Sequence, residues 1–363
     1  MAKIRREKKE ANDAGYKKTD KDLKNMEARL SSLYSDANKD MESKLTKFLD
    51  QFAKADKEKQ AMVKDGIITQ KEYVEWRQGK MFMNNKMRIQ IDSLAADLTN
   101  TDKLAMQMVN GELPSIYVTN YNFQGYKAEM MAKAGGIEYN SFTIYNAEAV
   151  GRIAKKNPDL LPAPKVSIPK DMRWNKQKIN TAIQQGILQG EPIEDIAKRL
   201  RDVTTMDYNA SVRNARTATI GAQNAGRSDA TARVKAAGIE MVDVWSCAID
   251  ARTRDTHLEL DGQERGKDGY FTTFTGEKLE YPADPSGSPE EVYNCRCRLN
   301  SFIKGIDHSK DDELYEEFMK ESHYDDWLEQ KRREQDHDSN AHMKTLEKDY
   351  VKEKQKNLKD RRR

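Results

Sequence analysis

WSCAIDARTRDTHLELDGQ (245–263) and EEVYNCRC (290–297) hold all three cysteines of the 363-residue chain, and the one histidine of its five that precedes the C-terminal tail. Nine residues separate Cys247 from His257, thirty-seven separate His257 from Cys295, and one separates Cys295 from Cys297. Thiols and imidazole are the donors that tetrahedral zinc takes. Two ligand sets stand open: Cys247, His257, Cys295 and Cys297 together, or the last three alone. In the second case Cys247 is a small buried hydrophobe in the apolar run MVDVWSCAI (241–249). A Cys295–Cys297 disulfide is disfavoured by the odd thiol count and by an N-terminus, MAKIRREKKEANDAG, without an apolar signal region.

Between the two stretches, Gly262 to Pro289 is rich in Gly, Thr, Ser and Pro yet carries Tyr270, Phe271, Phe274 and Tyr281. Ordering so long a loop costs backbone entropy, and a metal joining His257 to Cys295 and Cys297 would clamp it. Upstream, RNARTATIGAQNAGRSDATARVKAAGIEMVDVW (213–245) reads as a helix with small residues on one face, a stop at Gly238 and a strand ending at Trp245. Before it, Trp174 to Gln189 is helical with Gly190 as its stop, and Glu191-Pro192 opens a short helix through Leu200.

Residues 1 to about 110 contain no proline and read as long helices. Leu23, Met26, Leu30, Leu33 and Ala37, then Met41, Leu45, Phe48 and Phe52, follow a coiled-coil-like 3-4 spacing with one stutter. Gly66 is the expected C-cap and Thr69-Gln70-Lys71-Glu72 a capping box starting the next helix. The stripe serves either intramolecular packing or docking of a partner, the latter suggested by the methionines near Phe82. From Pro114 the runs SIYVTNYNFQGY (115–126) and FTIYNAEAV (142–150) take the aromatic and β-branched pattern that strands favour. Pro158, Pro162, Pro164 and Pro169 mark a linker.

The expected fold is mainly α: long N-terminal helices and a helical lead-in, a small α+β cysteine-containing module, and a charged helical C-terminal tail. The divisions are a helical hairpin arm (1–110), a mixed segment with Pro-rich linker (111–170), the cysteine module (171–303) and the tail (304–363), with Leu314, Phe318 and Trp327 as anchors. A 34% charged and 37% hydrophobic composition with mean hydropathy −0.94 is lean for one compact globule. The net charge of +3 excludes a global polyanion-binding signature. Local charge is stronger: residues 311–330 hold nine acids against Lys320, and residues 344–363 nine bases against four acids. The basic end suits nucleic acid or an acidic surface, or is simply a solvated helix. No apolar run is long enough for a membrane span, so no membrane insertion is expected.

Read in order, Arg216-Thr217, Asp250, Arg252, Thr253, Arg254, His257, Leu260, Asp261-Gly262 and Asn294-Cys295-Arg296-Cys297 resemble the phage head morphogenesis family, minor head proteins similar to protein F of phage Mu. The resemblance is clearest from Arg213 to Leu299. It implies a virion component present in few copies and assembled in the host cytoplasm. It further implies a place at the portal vertex, with the portal protein as partner, major capsid or scaffolding protein as further candidates, and a part in head assembly and genome packaging or delivery.

Three roles for the cysteine segment follow. A closed four-ligand zinc site would be structural only. Asp250, Asp255, Glu259 or Asp261 beside a His257-bound metal would make a hydrolase or nuclease, against which stand the absence of a second histidine and the turn-forming habit of these acids. Arg252, Arg254, Arg265, Arg296 and Arg298 would make a non-specific DNA-contacting surface, or pair with local acids. Outside the family, a helical scaffold with a zinc module is the remaining reading.

Overall fold

The computed structural model describes residues 13–82, 85–156, 170–189, 191–306 and 321–336. The elements run α1 (Ala14–Lys64), α2 (Gln70–Phe82), α3 (Asn85–Ala134), α4 (Ala147–Lys156), α5 (Met172–Leu188), α6 (Ile193–Ala236), β1 (Met241–Ser246), α7 (Asp255–Leu260), β2 (Phe271–Thr272), β3 (Lys278–Leu279), α8 (Pro289–Val292), β4 (Arg298–Ile303) and α9 (Glu321–Asp336). The fold is mainly α, with a small α+β module around the cysteines. The linker prolines, Gly190, Leu314, Phe318 and the basic tail lie outside the described residues.

Sequence signals mark the helix ends. Gly66 adopts φ 70°, and Ile67 N–H returns to the Met62 carbonyl at 2.8 Å, closing the last turn of α1. The capping box forms reciprocally: Thr69 N–H donates to Glu72 Oε2 at 2.8 Å and Glu72 N–H to Thr69 Oγ1 at 3.2 Å. The buried stripe of α1 is Met26, Leu30, Tyr34, Met41, Leu45 and Leu49. It shares Met26, Leu30, Met41 and Leu45 with the expected spacing and takes Tyr34 and Leu49 in place of its half-buried members.

Two expectations change. SIYVTNYNFQGY lies within α3, not in extended chain, although Pro114 sits inside the helix. Tyr117 and Tyr121 fall four residues apart and stack at 6.2 Å, and with Phe123 and Tyr126 they are buried, so packing overrides β propensity. The short helix expected to end at Leu200 continues to Ala236 as the 44-residue α6. Leu200, Val203, Asp207 and Ala210 carry its buried face onward.

The chain forms two compact units. The first comprises residues 1–24, 110–166 and 215–363. In it, β1 and β4 pair antiparallel with Trp245 opposite Leu299, and β2 and β3 form a hairpin. Gly226 of α6 sits so close to α3 that a Cβ there would lie 2.3 Å from the Tyr117 carbonyl oxygen. Asp13 caps α1, accepting from Tyr16 N–H at 3.0 Å, and takes a two-pronged bond from the fully buried Arg227 at 2.8 and 2.7 Å. Buried Trp327 and Lys331 of α9 both donate to Glu129 of α3, at 2.7 and 2.8 Å. The second unit comprises residues 25–109 and 167–214, where Phe52 stacks on Trp76 and Arg77 pairs with Asp56 at 3.0 Å.

A candidate metal cluster beside an arginine-lined cleft

Strand β1 delivers Trp245, fully buried, with its ring edge-on to both His257 and Phe271 at 5.2 Å. Two residues on, Cys247 is held by its N–H donating to Asp261 Oδ1 at 2.7 Å. The turn after it is built from local acids and hydroxyls. Arg252 N–H donates to Asp250 at 2.8 Å, and the Thr253 hydroxyl donates to the Ala248 carbonyl. This turn aims the short α7, and with it buried His257, back at the strand.

On the other side, Asn294 adopts φ 56°, a left-handed conformation that asparagine tolerates better than most residues. Its N–H donates to Thr217 Oγ1 at 3.1 Å. Asn224 of α6, fully buried, donates to the Pro282 and Cys297 carbonyls at 2.9 and 3.1 Å and accepts from Leu299 N–H at 3.0 Å. One amide thereby fixes the Cys-x-Cys backbone to both the long loop and the helix.

The result is a buried cluster. The ligand atoms of His257, Cys295 and Cys297 all lie within 4.8 Å of one another. His257 Nδ1 is 3.8 Å from Cys295 Sγ and 3.4 Å from Cys297 Sγ, and Cys247 Sγ stands 3.4 Å from Cys297 Sγ. Bonds of about 2.0–2.3 Å to a tetrahedral ion place neighbouring donors roughly 3.3–3.8 Å apart, so His257, Cys295 and Cys297 are spaced for a metal, whereas the Cys247 thiol lies outside this set and donates to the His257 carbonyl at 2.8 Å. Contact with Cys297, then burial, raises the Cys295 thiol well above the ordinary cysteine range, and contact with Cys247 raises Cys297 likewise. Crowded sulfurs resist becoming thiolates together unless a cation sits among them. Glu291 of α8 completes the set: its Oε2 is 2.9 Å from His257 Nε2 and accepts from the Thr256 hydroxyl at 2.9 Å. The approach is a charge contact, since Nε2 makes no hydrogen bond, and it is Nδ1 that faces the two thiols. The cluster can hold a metal ion.

Two of the four carboxylates considered for hydrolysis, Asp250 and Asp261, have other tasks. Asp250 takes both prongs of Arg296 at 2.6 Å, and this bond first, then the Arg252 N–H, holds its carboxyl below the usual range. Asp261 receives the Cys247 N–H. The long loop has its own fasteners: Glu277 accepts from the Ser288 hydroxyl at 2.9 Å, and Asp284 from the Glu280 and Ser286 N–H groups at 2.8 and 2.9 Å. The loop is therefore held by hydrogen bonds of its own.

Against the cluster opens a cleft of about 960 Å³ that reaches Cys247 and Cys295 and is lined by Arg216, Arg252, Arg254, Arg296 and Arg298. Asp20, which pairs with Arg298 at 2.7 Å, is the carboxylate on its wall. Four of the five arginines expected at this surface are present. Arg265 instead turns to Ser228 and Asp243 at 3.0 and 3.5 Å, and Arg216 takes the fifth place. Sequence reading missed Glu291 and Asn224, whose signals were an acid in the first turn of a four-residue helix and a polar residue in a run of small ones.

Residues 177–300 match the family described as Phage Mu protein F like protein. Minor head protein GP7 of Bacillus phage SPP1 is 26% identical over 283 residues, covering 77% of this chain and 82% of its own length. NAD(+)–arginine ADP-ribosyltransferase EFV of Enterococcus faecalis is 31% identical over 42% of this chain, but the match spans only 31% of that protein. An uncharacterised Bacillus subtilis protein is 27% identical over 40% of this chain and 53% of its own length. No solved structure matches. Residues 177–300 are thus similar to the Phage Mu protein F like family, and most of the chain is similar to a phage minor head protein.

Proposed function

We propose that the chain is a structural minor head protein of a tailed phage, carried in the virion, bound at the portal vertex and without turnover of its own. The observation that carries this is the likeness to a minor head protein over most of both chains, with the family's ordered motifs converging on one buried cluster. Zinc is the ion that suits three thiols and an imidazole. With His257, Cys295, Cys297 and Cys247 around it, zinc would be coordinatively closed and contribute folding free energy rather than chemistry.

The cleft gives the module a second task. Five guanidinium groups around one opening favour phosphate oxygens, so contact with packaged DNA is electrostatic and indifferent to sequence. The basic run 344–363 extends the same character.

Co-expression with the cognate portal protein, pull-down, and mass spectrometry of purified particles test the reading. Recovery with the portal and in the particle is expected. Absence from both, or DNA cleavage that His257→Ala abolishes, overturns it.

A further inference from the structure

The second unit buries two carboxyl groups against each other. Asp102 of α3 and Asp207 of α6 are both fully shielded from solvent. Asp102 is well supplied with donors: the Tyr34 hydroxyl of α1 at 2.5 Å and Asn175 Nδ2 of α5 at 3.2 Å. The Tyr34 hydroxyl also lies 2.7 Å from Ser211 Oγ, one turn beyond Asp207 on α6. Asp207 has no such supply; both its oxygens are buried and receive no donor from another residue. The charged group that acts on it most strongly is Asp102 itself. Lys170, just ahead of α5, is the cation whose charge acts on both acids.

Two carboxylates in contact inside a protein cannot both be ionised unless a proton or a cation sits between them. The donors at Asp102 decide between these. An O–H and an N–H already point at its oxygens, partners suited to a carboxylate and ones that a bound cation would repel. We propose that Asp102 and Asp207 share one proton, and that this proton latches α3 to α6 and lets go as pH rises.

The titration supports the geometry. Burial first, then the Asp102 charge, pushes Asp207 up to about 8, and burial raises Asp102 as well. Burial likewise raises Tyr34, which stays a neutral donor. The folded pKa lies above the unfolded one, so the stabilisation is whole below about pH 4, falls as pH climbs toward 8, and is gone beyond it. Neutral pH lies on the slope, where this unit is most responsive.

Hydrogen exchange of the full chain from pH 5 to 9.5, corrected for the intrinsic pH dependence of exchange, reads the latch directly in peptides from 95–109 and 200–214. The opening constant should rise by up to tenfold per pH unit below pH 8 and level off above it. Asp207→Asn keeps a donor facing Asp102 and should remove that slope; Asp102→Asn, which also cannot share a proton, serves if the first variant does not fold. A flat profile in the wild type, or an unchanged slope in the variants, overturns the proposal. Tenfold or greater protection of these peptides by millimolar Ca²⁺ or Mg²⁺ overturns it too, by showing that the occupant is a cation.

Discussion

Replacing Arg227 by Met tests how the start of α1 is held. Arg227 is fully buried, grips Asp13 through two nitrogens, donates through Nε to Asn120 at 3.1 Å, and stacks 3.6 Å above the Tyr16 ring. Methionine keeps much of the volume but strands the Asp13 carboxylate, itself 5% exposed. Breaking one side of a buried pair costs about 3–5 kcal/mol, because the remaining charge loses its compensation. For a body of this size that corresponds to a melting shift of roughly 6–20 °C. Scanning calorimetry of Arg227→Met, Asp13→Asn and the double variant separates charge from packing. Asparagine still caps the helix, so the double variant should recover more than half of the loss. A single-variant loss under about 1 kcal/mol, or strictly additive losses, would refute the reasoning.

Elemental analysis of untagged protein should find about one zinc per chain, and chelation should lower the melting temperature; metal-free protein with three reactive thiols counts against the cluster. Glu291→Ala should weaken zinc affinity by about 10–100-fold while Glu291→Gln retains part of it, measured by chelator competition; equal affinities would remove Glu291 from the metal's support. Asn224→Ala strands two carbonyls and an N–H and should cost on the order of 1–3 kcal/mol in denaturant titration. Each of Arg252→Glu and Arg254→Glu should lower the salt slope of DNA binding by about one, and an unchanged slope would place DNA elsewhere.

Local rules were legible wherever the chemistry is local. Gly66, Thr69 and Glu72 mark helix ends because capping is settled within four residues. The cysteines and His257 stood out because few other residue types can do what they do. Glu291 was hidden because its value comes from the fold bringing α8 against α7, and acids are common in a chain this charged. The run 115–126 misled because Tyr, Val, Thr and Phe favour strands when unpacked, while within α3 they bury their rings. Similarly, Leu200 looked like an ending only because α6 was judged from its N-terminal turn; no glycine or proline interrupts it before Gly221.

The ribbon from Cys295 to Leu299 alternates strictly, with Cys295, Cys297 and Leu299 buried while Arg296 and Arg298 remain partly open to the cleft. Extended chain turns successive side chains to opposite faces, so inserting or deleting one residue here would trade thiols for guanidinium groups on both faces at once. Length is therefore frozen in these five positions, while the loop at 262–289 is free to lengthen between its own fasteners. Drift among sequences similar to this one should collect in that loop and stop short of the ribbon, since a single slip would cost the module its sulfurs and its positive face together.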